Sequence, residues 1–481
     1  MLEIINNRTR AFVEQMPKSK RKEYGQFFTS VPIAGFMSDL FCVDNNKQTL
    51  RILDAGAGAG ILSASTIITI RNKGYLGELV LVCYETDPNV VPLLEQNLSD
   101  IAEHYRVHYT IIRDNYITSQ SFEGNIANDE LFDIIVGNPP YKKISKNAVE
   151  ALSMSPVCYG APNLYFLFWS MGIHNLKENG ELVYIIPRSW TSGAYFEHFR
   201  EYLHSNCAIT HIHLFGSRDN VFKGESVLQE TMIIRIKKTQ IKPSQITVTF
   251  SETYELSNTK TMTVPYNTVV APNGYVFLVT TDEELEVLKR INRQDSTLKK
   301  NNTKMQTGII VDFRTREVLR DCADEGVYPL FYSQHIKDGK VHFPVGRPSE
   351  FICTDRKSFL QDNVNYVFVK RFTAKEEKRK LQCGIYLASE HLEYKFISTQ
   401  NKINYIRCHS EEEAYGIYAI LNSTLYDTYY RILNGSTQVN STEINNMQIP
   451  SSDTVSKIGK ELIGGNLSEE NCNTIIDKWI K

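Results

Sequence analysis

The 481-residue sequence lacks several features that define common classes of protein. Its nine cysteines include no pair separated by two residues, which argues against a zinc site or a disulfide framework and favours free thiols in a reducing compartment. No apolar run approaches the roughly 18 residues of a membrane-spanning helix, and residues 1–10 form no apolar signal region, so we expect a cytoplasmic protein without a membrane partner. The formal net charge of −2 excludes a basic field over the whole chain, so a polyanion must bind local patches.

Short apolar runs alternate with helical patterns over the first half of the chain. Strands are predicted at 50–54, 79–85, 107–113, 132–136, 181–187, 209–214 and 231–237, and helices at 61–72, 88–104, 163–177 and 194–203, with Pro88 in the first turn of the second helix. This alternation predicts an α/β fold with a doubly wound, mostly parallel, seven-stranded sheet and helices on both faces. After about residue 240 the segments become shorter and more polar, which predicts one domain at 1–240 and a mixed α+β domain at 241–481.

The segment RILDAGAGAG, residues 51–60, ends a strand with an acid and continues as a glycine-rich turn. Glycine at Gly56 and Gly58 lets the backbone approach a ligand that a Cβ would block. A nicotinamide dinucleotide site has the spacing GxGxxG around a pyrophosphate, whereas this turn reads GxGxG and follows Asp54. Because a carboxylate repels a pyrophosphate and attracts an ammonium group, the turn favours a cofactor that carries an amino acid.

Two further acids follow the next two strands. Glu85 ends the second strand, where a carboxylate can accept hydrogen bonds from both hydroxyls of a ribose. Asp114 follows the third strand, where it can face an adenine ring. S-adenosylmethionine carries an ammonium group, a ribose and an adenine, and it therefore fits the three acids together.

The segment FDIIVGNPPY, residues 132–141, places a polar and aromatic turn at the end of an apolar strand. The amine of adenine is a poor nucleophile because its lone pair is delocalised into the ring. Two neutral acceptors, the side-chain oxygen of Asn138 and the backbone carbonyl of Pro139, can favour an sp³-like nitrogen, and the Pro139–Pro140 pair fixes the direction of that carbonyl. The ring of Tyr141 can replace the stacking that a base loses when it leaves a duplex. The segment therefore predicts methyl transfer to the amine of a flipped adenine.

In this order, ILDAGAGAG, CYETDP, IIRDNY and FDIIVGNPPY resemble the successive motifs of amino-group DNA adenine methyltransferases. YGQFFTS at 24–30 resembles their first cofactor motif, and its position before the glycine turn is the gamma order. Residues 221–236 resemble the end of the catalytic domain in the TaqI-like subgroup. The resemblance covers residues 22–240, and it implies a class I S-adenosylmethionine-dependent methyltransferase domain followed by a target-recognition domain.

By position, the resemblance assigns roles to individual residues. The implied cofactor-binding residues are Phe27, Thr29, Asp54, Gly56, Gly58, Glu85 and Asp114. The implied catalytic residues are Asn138, Pro139, Pro140, Tyr141 and Phe196. Phe196, in the helix predicted at 194–203, would contact the flipped base on its other face, and the alternative for it is the core of that helix.

The segments at 368–384 and 434–440 resemble the target-recognition region of BsuBI/PstI-type methyltransferases, a subgroup that modifies adenine within CTGCAG. The run at 370–380 is basic and helix-like, and such a cluster suits phosphate contacts. The alternative is a solvated helix with local ion pairs. The candidate DNA-binding residues are Lys370, Arg371, Lys375 and Arg379.

Three other functions share part of this pattern. Enzymes that methylate a glutamine of a protein use the same Asn-Pro-Pro-Tyr turn but are compact, so residues 241–481 argue against them. An RNA adenine methyltransferase would have the same catalytic site. A catalytically silent DNA-binding subunit would have the same fold, but the intact motif at 138–141 argues against it. We predict an adenine-specific DNA methyltransferase that binds no metal and acts on double-stranded DNA as a monomer, with a separately encoded restriction endonuclease as its functional partner.

Overall fold

The computed structural model describes residues 1–15, 29–216, 231–323, 326–374, 377–434 and 438–481. The chain divides into two compact units, Met1–Thr280 and Thr281–Lys481. Within these described ranges, no helix is both long enough and apolar enough to cross a membrane.

A single sheet organises the first unit. Its described strands are β1 (Thr49–Ala55), β2 (Glu78–Tyr84), β3 (Val107–Ile112), β4 (Phe132–Gly137), β5 (Leu176–Pro187), β6 (Cys207–Phe215), β7 (Thr231–Lys238), β8 (Gln245–Ser251) and β9 (Lys260–Pro265). Their order is β3-β2-β1-β4-β5-β7-β6-β8-β9. The first five in this order are mutually parallel, and β7 is antiparallel to both β5 and β6. The seven predicted strands are confirmed, and β8 and β9 extend the sheet beyond them.

Helices pack on both faces of this sheet. The described helices of the unit are α1 (Leu2–Gln15), α2 (Val31–Asp39), α3 (Ile61–Asn72), α4 (Val91–Tyr105), α5 (Val149–Ser153), α6 (Leu164–Asn175), α7 (Glu197–Asn206) and α8 (Tyr266–Val269). On β4, Ile134 and Val136 belong to an apolar core shared with α2, α3 and α4, whereas a Cβ added at Gly172 of α6 would lie 3.9 Å from the Ile135 side chain. Because successive strand residues point to opposite faces, α6 covers the face opposite α3, as a doubly wound fold requires.

Two predicted helix starts differ from the structure. α4 begins at Val91 rather than at Pro88. The carbonyl of Asp87 accepts hydrogen bonds from the N–H groups of Val90 and Val91, and residues 88–90 form a turn before the helix. The segment predicted as a helix at 194–203 opens with a 3-10 turn, Ala194–Phe196, and α7 begins only at Glu197. Phe196 therefore precedes the helix instead of lying within it.

The boundary between the two units lies after Thr280, not near residue 240. β8 pairs in parallel with β6, and β9 pairs antiparallel with β8, so residues 241–280 complete the first sheet. Ile246 and Val248 of β8 are buried, whereas most of β9 is exposed. The prediction placed the boundary too early because short, partly polar strands at a sheet edge have the composition of a new domain.

The second unit combines two small sheets with helices. Its described strands are β10 (Met305–Thr307), β11 (Leu319–Arg320), β12 (Val327–Phe331), β13 (Ile336–Lys337), β14 (Lys340–Val341), β15 (Phe351–Cys353), β16 (Gln361–Asp362), β17 (Tyr366–Lys370), β18 (Cys383–Tyr386), β19 (Phe396–Thr399) and β20 (Ile403–Arg407). They form the sheets β10-β20-β17-β18-β14-β13 and β11-β15-β12-β19-β16. Its described helices are α9 (Asp282–Asn292), α10 (Glu411–Leu421), α11 (Thr424–Leu433), α12 (Ser441–Asn445), α13 (Ser452–Leu462) and α14 (Glu469–Trp479). This content is the predicted mixed α+β architecture.

The described residues of the basic run at 370–380 form no helix. β17 ends at Lys370, and the described residues from there to 380 form turns and irregular backbone. The tail after residue 451 contains two helices, α13 and α14. α13 lies very close to α10, since a Cβ at Gly459 would collide with the carbonyl of Glu412.

Candidate active site

The turn after β1 depends on glycines with left-handed backbone angles. Gly56, Gly58 and Gly60 have φ values of 81°, 54° and 80°, which L side chains rarely adopt. The N–H of Gly56 donates to the carbonyl of Tyr84 at 2.9 Å, which ties the turn to the end of β2. A Cβ at Gly60 would lie 2.8 Å from a methyl group of Leu94 in α4. The glycines therefore provide both the backbone conformation and the close approach of a neighbouring helix.

Asp54 lies near the end of β1 and is fully buried. Its Oδ2 accepts a hydrogen bond from Ser63 Oγ at 2.6 Å, whereas its Oδ1 has no hydrogen-bond partner among the described residues. Burial raises the pKa of Asp54 to about 7, with the Ser63 hydrogen bond opposing this rise and the Glu85 carboxylate adding to it. Because a buried carboxylate oxygen is unfavourable without a partner, Oδ1 fits a cationic or hydrogen-bond-donating group of a ligand.

Glu85 follows β2 and links it to the glycine turn. Its Oε2 accepts a hydrogen bond from the N–H of Gly58 at 2.9 Å, and its Oε1 accepts one from the N–H of Asp87 at 2.8 Å. Burial raises the pKa of Glu85, and these backbone donors partly offset the rise. Each carboxylate oxygen has a further lone pair, so Glu85 is fixed by the backbone and can still accept hydrogen bonds from hydroxyl groups of a ligand.

Asp114 is exposed and lies beyond β3, the neighbour of β2. Ile112, the last residue of β3, pairs with Tyr84 at the end of β2, so Asp114 follows two residues beyond that level. Burial raises the pKa of Tyr84, the Ser119 hydroxyl lowers it, and the Asp114 carboxylate adds to the rise. β1, β2 and β3 are parallel, so the acids that follow them lie at one edge of the sheet. Ligands of open α/β sheets bind at this edge.

β4 brings the Asn-Pro-Pro-Tyr turn to the same edge. It pairs in parallel with β1, with Val136 opposite Asp54, and neighbouring strands lie about 4.8 Å apart. Asn138 comes two residues after Val136, so it lies just beyond Asp54 on the neighbouring strand. The acid inside this strand, Asp133, accepts hydrogen bonds from the Lys177 side chain and the Arg51 N–H at the other end of the strand. Asp133 thus stabilises β4 and is not part of the site.

Two hydroxyl groups contact the amide of Asn138. Its Nδ2 donates to Thr29 Oγ1 at 3.2 Å, and its Oδ1 accepts from the Tyr141 hydroxyl at 2.8 Å. The same hydroxyl lies 3.0 Å from the carbonyl of Ile185 near the end of β5. Burial raises the pKa of Tyr141 well above its ordinary value, so the hydroxyl keeps its proton. The structure thus brings Thr29 to the turn, whereas Phe27 lies outside the described residues.

An aromatic cluster lies beside this turn. Pro139 is buried and Pro140 is half-buried, which anchors the backbone between Asn138 and the ring of Tyr141. The rings of Tyr141 and Tyr165 meet edge to face with centroids 6.4 Å apart, and Phe196 lies 6.2 Å from Tyr165. The sequence did not single out Tyr165, although an aromatic residue in the first turn of an apolar helix was the available signal.

Arg379 of the second unit is engaged within that unit. Its guanidinium lies 3.0 Å from Glu469 Oε1 and 4.0 Å from Asp427 Oδ1, and its side chain is only 14% exposed. It also donates to the carbonyl of Leu421 at 3.2 Å. A guanidinium with these internal partners stabilises the packing of the helices around it. The structure therefore argues against the predicted phosphate contact of Arg379.

Lys370 and Arg371 make fewer contacts within the unit than Arg379 does. Lys370 Nζ donates to Gln382 Oε1 at 2.8 Å, and the Arg371 guanidinium donates to the carbonyl of Asn401 at 2.9 Å. Both side chains keep donors beyond these contacts and both residues are partly exposed. Lys375 lies outside the described residues, as do the motif segments at 24–28, 221–230 and 435–437.

A cavity of about 620 Å³ opens on the second unit. Its lining residues are Asp312, Phe313, Arg316, Leu319, Arg320, Asp321 and Ser349. The ring of Phe313 is 68% exposed, and the Arg314 guanidinium lies 5.4 Å from its centre. Arginine and aspartate side chains are among the types that hydrogen-bond to base edges. No pattern in the sequence indicated that these residues converge at one cavity.

The chain is similar to known proteins in both sequence and fold. A family model described as Eco57I restriction-modification methylase matches residues 78–222. The chain is 34% identical to the type II methyltransferase M.BsuBI of Bacillus subtilis over 96% of this chain and 94% of that protein. It is 31% identical to the type II methyltransferase M.PstI of Providencia stuartii over 97% of this chain and 94% of that protein.

Among solved structures, the type IIL restriction-modification enzyme MmeI in complex with DNA has a similar fold. The TM-score is 0.52 at 10% sequence identity, and the match covers 89% of this chain and 70% of that chain. The fold likeness extends over both units, and the two sequence relatives align along almost the whole chain. The chain therefore belongs to the type II methyltransferase family.

Proposed function

We propose that the chain transfers a methyl group from S-adenosylmethionine to N6 of an adenine that is flipped out of double-stranded DNA. The observation that carries this proposal is the Asn138–Tyr141 turn directly after β4, beside the buried Asp54 at the end of β1. Membership of the type II methyltransferase family supports methyl transfer within a restriction-modification system. The order of motifs along the sequence further supports the gamma class and the TaqI-like subgroup.

The residues at the sheet edge fit the parts of S-adenosylmethionine. Asp54 Oδ1, which lacks a described protein partner, would accept a hydrogen bond from the ammonium group. Glu85 would accept the ribose hydroxyls, Asp114 would contact the adenine, and the turn at Gly56 and Gly58 leaves space for close approach. Once bound, the cofactor supplies an electrophilic methyl group. Phe27 stays a predicted lining residue of this pocket.

The protein's part in the chemistry is to orient and polarise the amine of the target adenine. Asn138 Oδ1 and the carbonyl of Pro139 would accept hydrogen bonds from its two N–H groups and so favour a pyramidal nitrogen with an available lone pair. Both acceptors are neutral, which avoids burying a charge. Tyr141 would stack on the extruded base, with Phe196 and Tyr165 completing an apolar surround.

The second unit would bind and read the DNA. Lys370 and Arg371 remain candidate phosphate contacts because each keeps unused donors, and the same stays predicted for Lys375. The resemblance of this half to BsuBI/PstI-type enzymes, together with the full-length alignment to M.BsuBI and M.PstI, supports CTGCAG as the target. We further propose a monomeric, cytoplasmic enzyme whose cognate endonuclease is encoded separately.

Expression of the chain alone in cells, followed by methylation-sensitive sequencing of their DNA, tests this proposal. We expect N6-methyladenine within CTGCAG, and none in cells that express Asn138→Ala at the same level. Methyladenine at another sequence would overturn the target and leave the reaction intact. Unmodified DNA in cells that contain folded, abundant protein would overturn the function itself.

A further inference from the structure

The two ends of the Asn138 side chain are chemically different, and only one of them can assist the proposed reaction. An amide oxygen accepts hydrogen bonds, whereas an amide nitrogen donates them. If the amide turned by 180°, its NH₂ group would face the adenine amine, and two donors would repel each other. Rotation about the last side-chain bond of asparagine is soft, so the site needs something that holds the amide.

Thr29 holds the nitrogen end. Its Oγ1 accepts from Asn138 Nδ2 at 3.2 Å, and the residue is only 7% exposed. Thr29 lies two residues before α2, which packs against α3 on the core side of the sheet. The hydroxyl therefore comes from a buried residue next to α2, 109 residues away in the chain. Its position in the motif at 24–30 implied a cofactor-lining role and gave no hint of this contact.

Tyr141 holds the oxygen end. Its hydroxyl lies 2.8 Å from Asn138 Oδ1 and 3.0 Å from the carbonyl of Ile185. A hydroxyl has one proton, and both neighbours are acceptors. The proton can therefore stabilise Oδ1 in the empty site and turn toward Ile185 when the substrate amine donates to Oδ1. The second acceptor lets Oδ1 bind the incoming amine without competition from the tyrosine.

We propose that Thr29 and Tyr141 are positioning residues that clamp the Asn138 amide between two hydroxyl groups, with Oδ1 held ready for the amine of the target base. This inference rests on the proposed function of the site. It gives Thr29 a role in the rate of methyl transfer, and it gives the Tyr141 hydroxyl a task separate from stacking by the ring.

The test compares variants that delete or keep each hydroxyl. Thr29→Val is nearly isosteric and should lower the single-turnover rate about tenfold at saturating S-adenosylmethionine and DNA, as expected for the loss of one hydrogen bond that orients the Asn138 amide. Thr29→Ser keeps the hydroxyl and should recover most of the rate. Calorimetry should show S-adenosylmethionine affinity within about twofold of the wild type. Thr9→Val, which deletes a buried hydroxyl in α1 bonded to the Ile5 carbonyl at 2.7 Å, is the matched control.

Tyr141→Phe separates the hydroxyl from the ring. The rate should fall about tenfold, while 2-aminopurine at the target position should still report base flipping. Tyr75→Phe removes a buried hydroxyl that donates to the Glu78 carbonyl at the start of β2, the opposite end of the strand from Glu85, and it should leave the rate unchanged.

An unchanged rate in Thr29→Val, or a loss confined to S-adenosylmethionine affinity with a wild-type rate at saturation, would overturn the role of Thr29. A wild-type rate in Tyr141→Phe would overturn the role of the hydroxyl. In either case Asn138→Ala would still be inactive. If Asn138→Ala itself methylates DNA at the wild-type rate, the proposed function fails and not merely the clamp.

Discussion

The edge of the first sheet and the basic run at 370–380 position their polar side chains in different ways. Asp54, Glu85 and Asn138 lie at one edge of the first sheet, Asp54 near the end of its parallel strand and the other two directly after theirs. The described residues of the basic run at 370–380 form no helix, and Arg379 within it contacts Glu469 and other partners in its own unit. The first region lies at the sheet edge, where its pattern placed it, whereas in the second the Arg379 guanidinium has its partners inside the unit and the Lys378 side chain is exposed.

The difference lies in what fixes each side chain. In a parallel sheet the carboxyl end of every strand reaches the same edge, so a residue placed there by sequence is placed there in space. The partners of a surface arginine depend on what folds next to it, and Glu469 lies 90 residues beyond Arg379. Motifs bound to strand ends are therefore readable from one sequence, and charge clusters are not.

The largest expected effect concerns Asn138. Asn138→Ala removes an acceptor needed most as the amine becomes pyramidal, so kcat should fall by about 10²-fold or more. The affinities for S-adenosylmethionine and DNA should change little, because Asn138 makes one neutral hydrogen bond to the bound adenine, and this bond matters most as the nitrogen becomes pyramidal. Single-turnover kinetics with separate binding measurements test both expectations. Asn45→Ala, which deletes an exposed amide bonded to the Lys73 carbonyl, is the control.

Glu85 should dominate cofactor affinity. Glu85→Ala removes the proposed acceptor of two ribose hydroxyls and also frees the N–H of Gly58. Affinity for S-adenosylmethionine should fall by more than about tenfold, as for charged hydrogen bonds. Calorimetry measures the loss, and Glu85→Gln, which keeps one side-chain oxygen, should be affected less. A folded Glu85→Ala protein with wild-type affinity would remove this residue from the site.

Cofactor affinity should also depend on pH through Asp54. Burial raises the pKa of Asp54 to about 7, so the carboxylate is increasingly protonated below that pH and loses its attraction for an ammonium group. The association constant should therefore fall as pH decreases below about 7, by up to about tenfold per pH unit. Asp54→Asn should bind S-adenosylmethionine more weakly. Its affinity should show no such dependence between pH 5.5 and 7, the range in which the wild-type carboxylate becomes protonated. A flat wild-type profile would contradict the assignment.

The smallest effects distinguish the basic residues of the second unit. Arg379→Ala should lower the free energy of unfolding by about 2 kcal/mol, since it breaks a largely buried ion pair, and leave the salt dependence of DNA binding unchanged. Arg371→Ala should do the reverse, lowering the slope of log affinity against log salt by about one. Denaturant titration and binding at several salt concentrations measure the two quantities. If both variants lowered the slope of log affinity against log salt equally, Arg379 would be a DNA-binding residue after all.

The sequence predicted much of the first unit because its signals are local. Strand ends, glycine spacing and the Pro-Pro turn place Asp54, Gly56 and Asn138 without knowledge of distant residues. The contact of Thr29 with Asn138 could not be predicted, because it joins residues 109 positions apart through tertiary packing. The unit boundary was wrong for a related reason. Only strand pairing, and not composition, shows that β8 and β9 continue the first sheet.

We propose above that the Asn138 turn orients the amine of an adenine in duplex DNA for methyl transfer from S-adenosylmethionine. Purified chain, S-adenosylmethionine with a labelled methyl group and a duplex containing one CTGCAG site test it most directly, with nucleoside analysis of the product. We predict label in N6-methyladenine from the wild-type reaction and none from Asn138→Ala. Label in another nucleoside, in RNA or protein added as a competing substrate, or in the Asn138→Ala product at the wild-type level would contradict it.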